Sequence, residues 1–297
     1  MNDIIRELKG DDIYENIIDK FSNDNYPEIE IPNELHDIFN LDYIDESYRE
    51  KNFDYYQFDS IGVPRVSRIL DKTINKDYLM IWASKLGWEK YNIEKSKALT
   101  IGSRAHEMIE EYLRTGKYPN NILFKTPKHL RRSVSCAYKN FVRWMEDLVK
   151  RNIYLSDVIC MEKEIVCPYF GGTVDCIARI NGRVFLIDFK TSKKISMEYL
   201  MQVCAYTWII NSGYIEGLPH IDGVGIIRVD KEDINKYDDL FLSFSETNQA
   251  KMINDYIRFF GVLTQSYYNI IQAEREFLVV KKEAKQNRIK TLGGLHD

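Results

Sequence analysis

The sequence predicts an α/β fold in which a mixed central β-sheet is flanked by helices and preceded by a helical layer. Two observations predict it. Apolar residues recur at helical spacing as far as about residue 151, and from Asp157 they alternate with period two. Between two of the alternating runs stands Asn181-Gly182, a strong hairpin signal, and the segments after it read as helix, strand, strand and helix.

Residues 1–60 mix charge clusters with isolated apolar residues and two prolines, Pro27 and Pro32, so they read as short helices or an extended arm with a boundary near residue 60. Ser67 is placed to cap a short helix at Arg68-Ile69-Leu70. Lys76 to Leu86 carries Tyr78, Leu79, Ile81, Trp82 and Leu86 at helical spacing, and Gly87 ends it. A further helix is expected from about Thr100 to Arg114, stopping at Thr115-Gly116, and a longer one from Pro127 to Arg151. Strands follow over Asp157 to Cys167, Gly172 to Ile180 and Arg183 to Lys190, the first with Val158, Cys160, Glu162, Glu164 and Val166 on one side. Met197 to Ile210 reads as an amphipathic helix, Ile221 to Val229 and Asp239 to Phe244 as strands, and Glu246 to Ile271 as a long helix. The basic residues 272–297 are expected to form a mobile tail. Tyr78, Trp82, Trp88 and Tyr91 resemble base-stacking residues in composition, but their helical spacing predicts core.

Charge divides the chain. Residues 1–60 hold 17 acids against 5 bases, a balance of −12, whereas residues 61–297 stand at +8, which suits a polyanionic partner. No run approaches the roughly 20 apolar residues of a membrane span, and the early acidic residues are unlike a secretory or mitochondrial leader. Five cysteines without a C-x-x-C pair indicate neither a disulfide framework nor a zinc ribbon, so a reducing, cytoplasmic setting is expected.

Chemistry concentrates in Gly171-Gly172-Thr173-Val174-Asp175 and Ile187-Asp188-Phe189-Lys190-Thr191-Ser192-Lys193. Asp188 and Lys190, two apart on a strand, leave the same face, and Asp175 on the partner strand can stand beside Asp188. Paired carboxylates repel unless a cation lies between them, and such oxygen ligands suit Mg²⁺ or Mn²⁺. A lysine there can orient or help deprotonate a water and stabilise charge on a phosphate. The chemistry implied is metal-assisted phosphodiester hydrolysis. D-x-K alone recurs by chance in a chain of this composition, and its weight comes from Gly102-x-x-x-His106, from Glu162 and from Gln202-x-x-x-Tyr206.

Val63-Pro64-Arg65-Val66-Ser67-Arg68-Ile69-Leu70, Gly102 to His106, Gly172 to Asp175, Asp188 to Ser192 and Gln202 to Tyr206 are five ordered motifs that resemble the PD-(D/E)XK nuclease superfamily over residues 62–210. The likeness is to its RecB-like branch, in particular the mitochondrial-genome-maintenance and phage exonucleases. The resemblance implies a restriction-endonuclease-like core, with residues 61–271 as the nuclease domain between an acidic arm and a basic tail. It implies His106, Asp175, Asp188 and the carbonyl of Phe189 as metal ligands, Lys190 as the catalytic lysine, and Glu162, favoured over Glu164 by its spacing to Asp175, as an auxiliary acid. Gln202 and Tyr206 would touch DNA or support the site, or else simply pack. Thr191, Ser192 and Lys193, with Arg131 and Arg132 on a basic helix, are further candidates for DNA contact, against the alternative of a solvated face. The expected activity is a Mg²⁺-dependent deoxyribonuclease, with Mn²⁺ able to substitute and without an iron–sulfur cluster, since no cysteine follows Cys204. It would act from DNA ends, on single strands, in replication, recombination or repair, in a prokaryotic or phage-infected cell. An endonuclease of the same fold and a non-catalytic DNA-binding module are the alternatives. The acidic arm is expected to cover the DNA groove or to dock a protein partner.

Overall fold

A computed structural model of the chain describes residues 55–58 and 61–293. Its centre is a five-stranded mixed sheet in the order β3-β4-β5-β6-β7, comprising β3 (Leu155–Val166), β4 (Gly171–Ile180), β5 (Arg183–Lys190), β6 (Gly223–Val229) and β7 (Tyr237–Ser243). β5 and β6 are parallel and every other neighbouring pair is antiparallel. The turn between β4 and β5 is the expected one, with Asn181 and Gly182 both at positive φ, 48° and 80°. Parallel β5 and β6 require a crossover, which helix α6 (Met197–Asn211) supplies.

Among the described residues there are seven α-helices, five of which cover the two faces of the sheet. Against one lie α1 (Val66–Thr73), α6 and α7 (Thr247–Gly293); against the other lie α3 (Trp88–Thr115) and α5 (Arg131–Lys150). Leu200, Met201 and all of residues 203–210 are buried, because α6 is enclosed by the sheet on one side and by α1 and α7 on the other. The expected amphipathic stripe is therefore absent: a helix wetted on no side needs no polar face. By contrast α3 and α5 bury one side each, with Ala105, Ile109 and Leu113 facing Phe141, Trp144 and Leu148.

Several boundaries differ from expectation. Helix α1 starts at Val66, with Arg65 rather than Ser67 at its cap position and no side-chain capping bond, since the chain passes from strand β2 (Ile61–Pro64) into the helix through one residue. Helix α2 (Asp77–Leu86) ends as expected at Gly87, but α3 begins immediately after it, twelve residues before Thr100. Residues 88–99 carry no buried stripe beyond Tyr91, so periodicity gave no sign of that helix. A short α4 (Asn120–Lys125) and a 3₁₀ turn (Lys128–Leu130) precede α5. Trp82 and Trp88, expected in the core, are exposed, and of that group Tyr91 is buried; the side chain of Tyr78 lies outside the described residues.

The arm expected over residues 1–60 lies outside the described residues apart from strand β1 (Tyr55–Phe58), which pairs with β2 and is tied to the sheet by a 2.8 Å hydrogen bond between the Tyr56 and Thr173 hydroxyls. At the other end α7 continues through the expected tail to Gly293, as a run rich in Glu, Lys, Arg and Ala permits. Its last buried residue described is Ile271, and Phe277, Leu278, Val279 and Val280 are exposed.

Strand β3 departs most from regular alternation. Register shifts fall between Leu155 and Asp157 and between Val158 and Cys160, so Val158 packs toward α3 and α5 while Cys160 packs toward α6. They do not share the face that alternation predicts. A second irregularity lies further along: Cys176 faces the α3/α5 side and Val174, two residues away, faces the α6 side; Met161 and Ile165 divide likewise. At this level Glu162 has φ 47°, a left-handed backbone unusual for a residue within a strand. The twist it introduces sits opposite Asp175.

Candidate active site

The ladder between β4 and β5 runs from Ile180↔Arg183 to Cys176↔Ile187 and stops there. The next facing positions are Asp175 and Asp188. Where the strands part, the Asp175 carboxylate fills the place of a ladder bond, with Oδ2 accepting the N–H of Phe189 at 2.8 Å. The same oxygen lies 3.5 Å from His106 Nδ1, brought over the strand ends by α3. Phe189 meets the His106 ring edge to face at 6.3 Å and is itself braced against Phe141 at 5.6 Å, which fixes the imidazole's place.

Glu162 completes this group. One ligand atom each from His106, Glu162 and Asp175 lie within 4.8 Å of one another, and an imidazole with two carboxylates is a donor set that holds a divalent cation. Loss of water around its carboxyl, and then the negative charge of Asp175, push the Glu162 pKa up. A cation at this position would relieve that repulsion. Of the two glutamates weighed from the sequence, Glu162 is the one that stands in the group.

Asp188 is placed differently. It is 2% exposed, and Lys190 Nζ stands 2.8 Å from its Oδ1 and 2.7 Å from its Oδ2. Only the Oδ1 contact is aligned as a hydrogen bond, so Oδ2 is buried with charge contact but no directed donor. Burial pushes the Asp188 pKa above the ordinary carboxylate value, against the pull of Lys190. For Lys190 burial opposes the charge, but Asp188 and Asp175 outweigh it and the ammonium is held above its ordinary pKa. The backbone N–H of Phe189 is engaged by Asp175.

Behind the lysine stands α6. Lys190 Nζ is 3.4 Å from Gln202 Oε1, and the Gln202 amide donates to the Tyr206 hydroxyl at 3.1 Å. Burial raises the Tyr206 pKa, so the phenol stays protonated. Its ring lies against Gly172, where an added Cβ would fall 2.2 Å from ring atoms; glycine is required there by close approach. Tyr199, unnoticed in the sequence, has its ring centroid 5.0 Å from Lys190 Nζ. Only its helical phase relative to Gln202 could have flagged it.

The remaining candidates are more dispersed. Thr191 is half-buried beside Gly102 of α3, and the Ser192 hydroxyl donates to the Lys194 carbonyl at 2.9 Å. Lys193 and Arg132 are exposed. Arg131 is engaged locally, donating to the carbonyls of Thr126 and Phe124 at 3.0 and 2.7 Å. Arg228, also missed, is buried next to Lys190 in register and contacts Asp230 at 3.2 Å and the Ser192 carbonyl at 3.4 Å.

Half of this chain is similar to a human exonuclease. The match, to mitochondrial genome maintenance exonuclease 1, is 24% identical over 164 residues, 50% of this chain and 44% of the human protein. The chain thus spans less than half the length of that relative. No family model matches. Among solved structures, that of SSO0001 aligns over 85% of this chain and 87% of its own with 12% identity, but its TM-score of 0.25 is too low to bear on the fold. The distant relative is a nuclease by name, and the three-residue group suits a divalent metal. Among the described residues no helix is long and apolar enough to cross a membrane.

Proposed function

We propose that the protein is a metal-dependent DNA exonuclease of the PD-(D/E)XK, RecB-like type, hydrolysing phosphodiester bonds from the ends of single-stranded DNA. The observation that carries this reading is the adjacency, at the parting of β4 and β5, of a group with the donors to hold a cation (His106, Glu162, Asp175) and a buried carboxylate–lysine pair (Asp188, Lys190). The distant likeness to an exonuclease supports it.

Asp175 and His106 would hold the ion, with Glu162 beside them and Asp188 as a further ligand. The ion, Mg²⁺ or Mn²⁺, would supply Lewis-acid polarisation of the scissile phosphate and acidify a water. Lys190, kept cationic by its two carboxylates and aimed by Gln202, orients the water and steadies charge on the phosphate. Gln202 and Tyr206 therefore act through Lys190. The Phe189 carbonyl is proposed as a further ligand. Lys193 and Arg132, exposed near the site and on α5, would meet phosphates.

Digestion of linear and circular single-stranded DNA of one sequence, with Mg²⁺, Mn²⁺ or EDTA, tests this. Metal-dependent loss of the linear form alone is the expected result, with Asp175→Ala slower by about 100-fold or more. Cutting of circles would make the protein an endonuclease. Binding without cutting, or an unaffected Asp175→Ala, would remove the catalytic assignment altogether.

A further inference from the structure

Trp88 and His106 stand at the two ends of one face of one uninterrupted helix. They are 18 residues apart on α3, which is five turns at 3.6 residues per turn, so their side chains leave the helix in the same direction about 27 Å apart. Trp88 is 70% exposed. One face of its indole stacks on Tyr91, centroids 5.6 Å apart with 23° between planes, and Tyr91 is held edge-on by Trp82 at 5.1 Å. The ring is thus fixed from behind, with its other face turned to solvent.

Between these ends the same helix face carries Asn92, Lys95, Leu99 and Gly102, of which the first three are exposed. The two carboxylates in that stretch, Glu89 and Glu94, are turned about 100° or more away from it, and Glu94 is paired with Lys97 at 2.8 Å. A track that begins at a braced aromatic ring, passes a lysine, avoids acids and ends at a group with the donors to hold a cation has the recognition chemistry of a single-stranded nucleic acid. A protein partner's apolar face would match Trp88 but would gain nothing from the acid-free stripe leading to His106.

We infer that single-stranded nucleic acid lies along this face of α3, with a base stacked on Trp88 and the backbone passing Lys95 to the candidate site. At the 3.4 Å per-nucleotide rise of a stacked strand, the track is about eight nucleotides long. This rests on the nuclease reading for the strand's destination, and it makes substrate length the variable that Trp88 controls.

The test uses the full chain with oligothymidylates of 4 to 20 nucleotides, comparing wild type, Trp88→Ala, Trp88→Phe and, as an exposed aromatic on the opposite side of the sheet, Phe259→Ala. For Trp88→Ala, KM should rise roughly 5- to 150-fold on strands of 12 or more nucleotides, with the effect shrinking as the strand is cut to 4; Trp88→Phe should recover most of it and Phe259→Ala should match wild type. An equal rise at every length, or none, overturns the inference. So does a change in particle mass by light scattering in Trp88→Ala, which would put a second copy on this face. Should wild type fail to cleave at any length, the nuclease reading falls, while metal-free binding of the 20-mer still decides the stacking: affinity weakened by Trp88→Ala upholds it, and unchanged affinity ends it.

Discussion

The two faces of the central sheet treat charge in opposite ways. Beneath α6 the charged groups of β5 and β6 are enclosed and ion-paired within the fold: Asp188 with Lys190, and Arg228 with Asp230 one strand over. Toward α3 and the outer strand β3, His106, Glu162 and Asp175 gather with only a 3.5 Å contact between two of them and repulsion on the third. Charges buried in a low-dielectric interior must be paired where they stand, whereas groups at a wetted edge can be left for a soluble ion to complete. The site joins one set of each kind.

That contrast is easiest to break at Lys190. Lys190→Ala leaves Asp188 buried without its partner and should destabilise the fold by about 3–5 kcal/mol in urea melts, while His106→Ala should cost no more than about 1 kcal/mol. Equal losses would mean that the two faces do not differ. Gly172→Ala probes the packing that enforces the enclosed side: its Cβ would fall into the Tyr206 ring, and a loss of about 1–3 kcal/mol is expected together with slower turnover as Gln202 and Lys190 shift. A stable, fully active Gly172→Ala would show that α6 does not aim the lysine.

The smallest effect sharpens the contrast through pH. Burial works against the Asp230 charge, but the backbone N–H groups of Asp233 and Glu232 and the Arg228 guanidinium prevail and hold its pKa below the ordinary value. A lowered carboxylate pKa contributes stability that is complete above about pH 4 and lost as pH falls through the folded value. Asp230→Asn should therefore cost about 1 kcal/mol at pH 7 and flatten the acid limb of stability; unaltered acid denaturation would assign that limb to other groups.

The helices with one wet side and the β4–β5 hairpin were legible because periodicity and Asn181-Gly182 are local signals. The adjacency of Asp175 and Asp188 was legible too, since a hairpin fixes which residues face each other. What escaped was set by tertiary surroundings. The first twelve residues of α3 bury little and so carry no stripe, α6 is apolar all round because other elements enclose it, and the inversion of β3 and β4 at Glu162 follows from a positive φ that an ordinary glutamate does not announce. That Asp188 and Lys190 share a face follows from their spacing, but the closeness of their pairing depends on burial, which spacing does not reveal.

The parallel pairing of β5 with β6 also orders events in time. The hairpin carrying Asp175, Asp188 and Lys190 closes locally, within about ten microseconds for such a unit, but it has no stable seat until α6 has crossed and β6 and β7 have docked. In a chain emerging from the ribosome Asp188 precedes the first residue of α6 by nine residues, whereas β7, the last strand of the sheet, ends at Ser243. The topology thus leaves the candidate site unassembled until residues as far as Ser243 are available to pair.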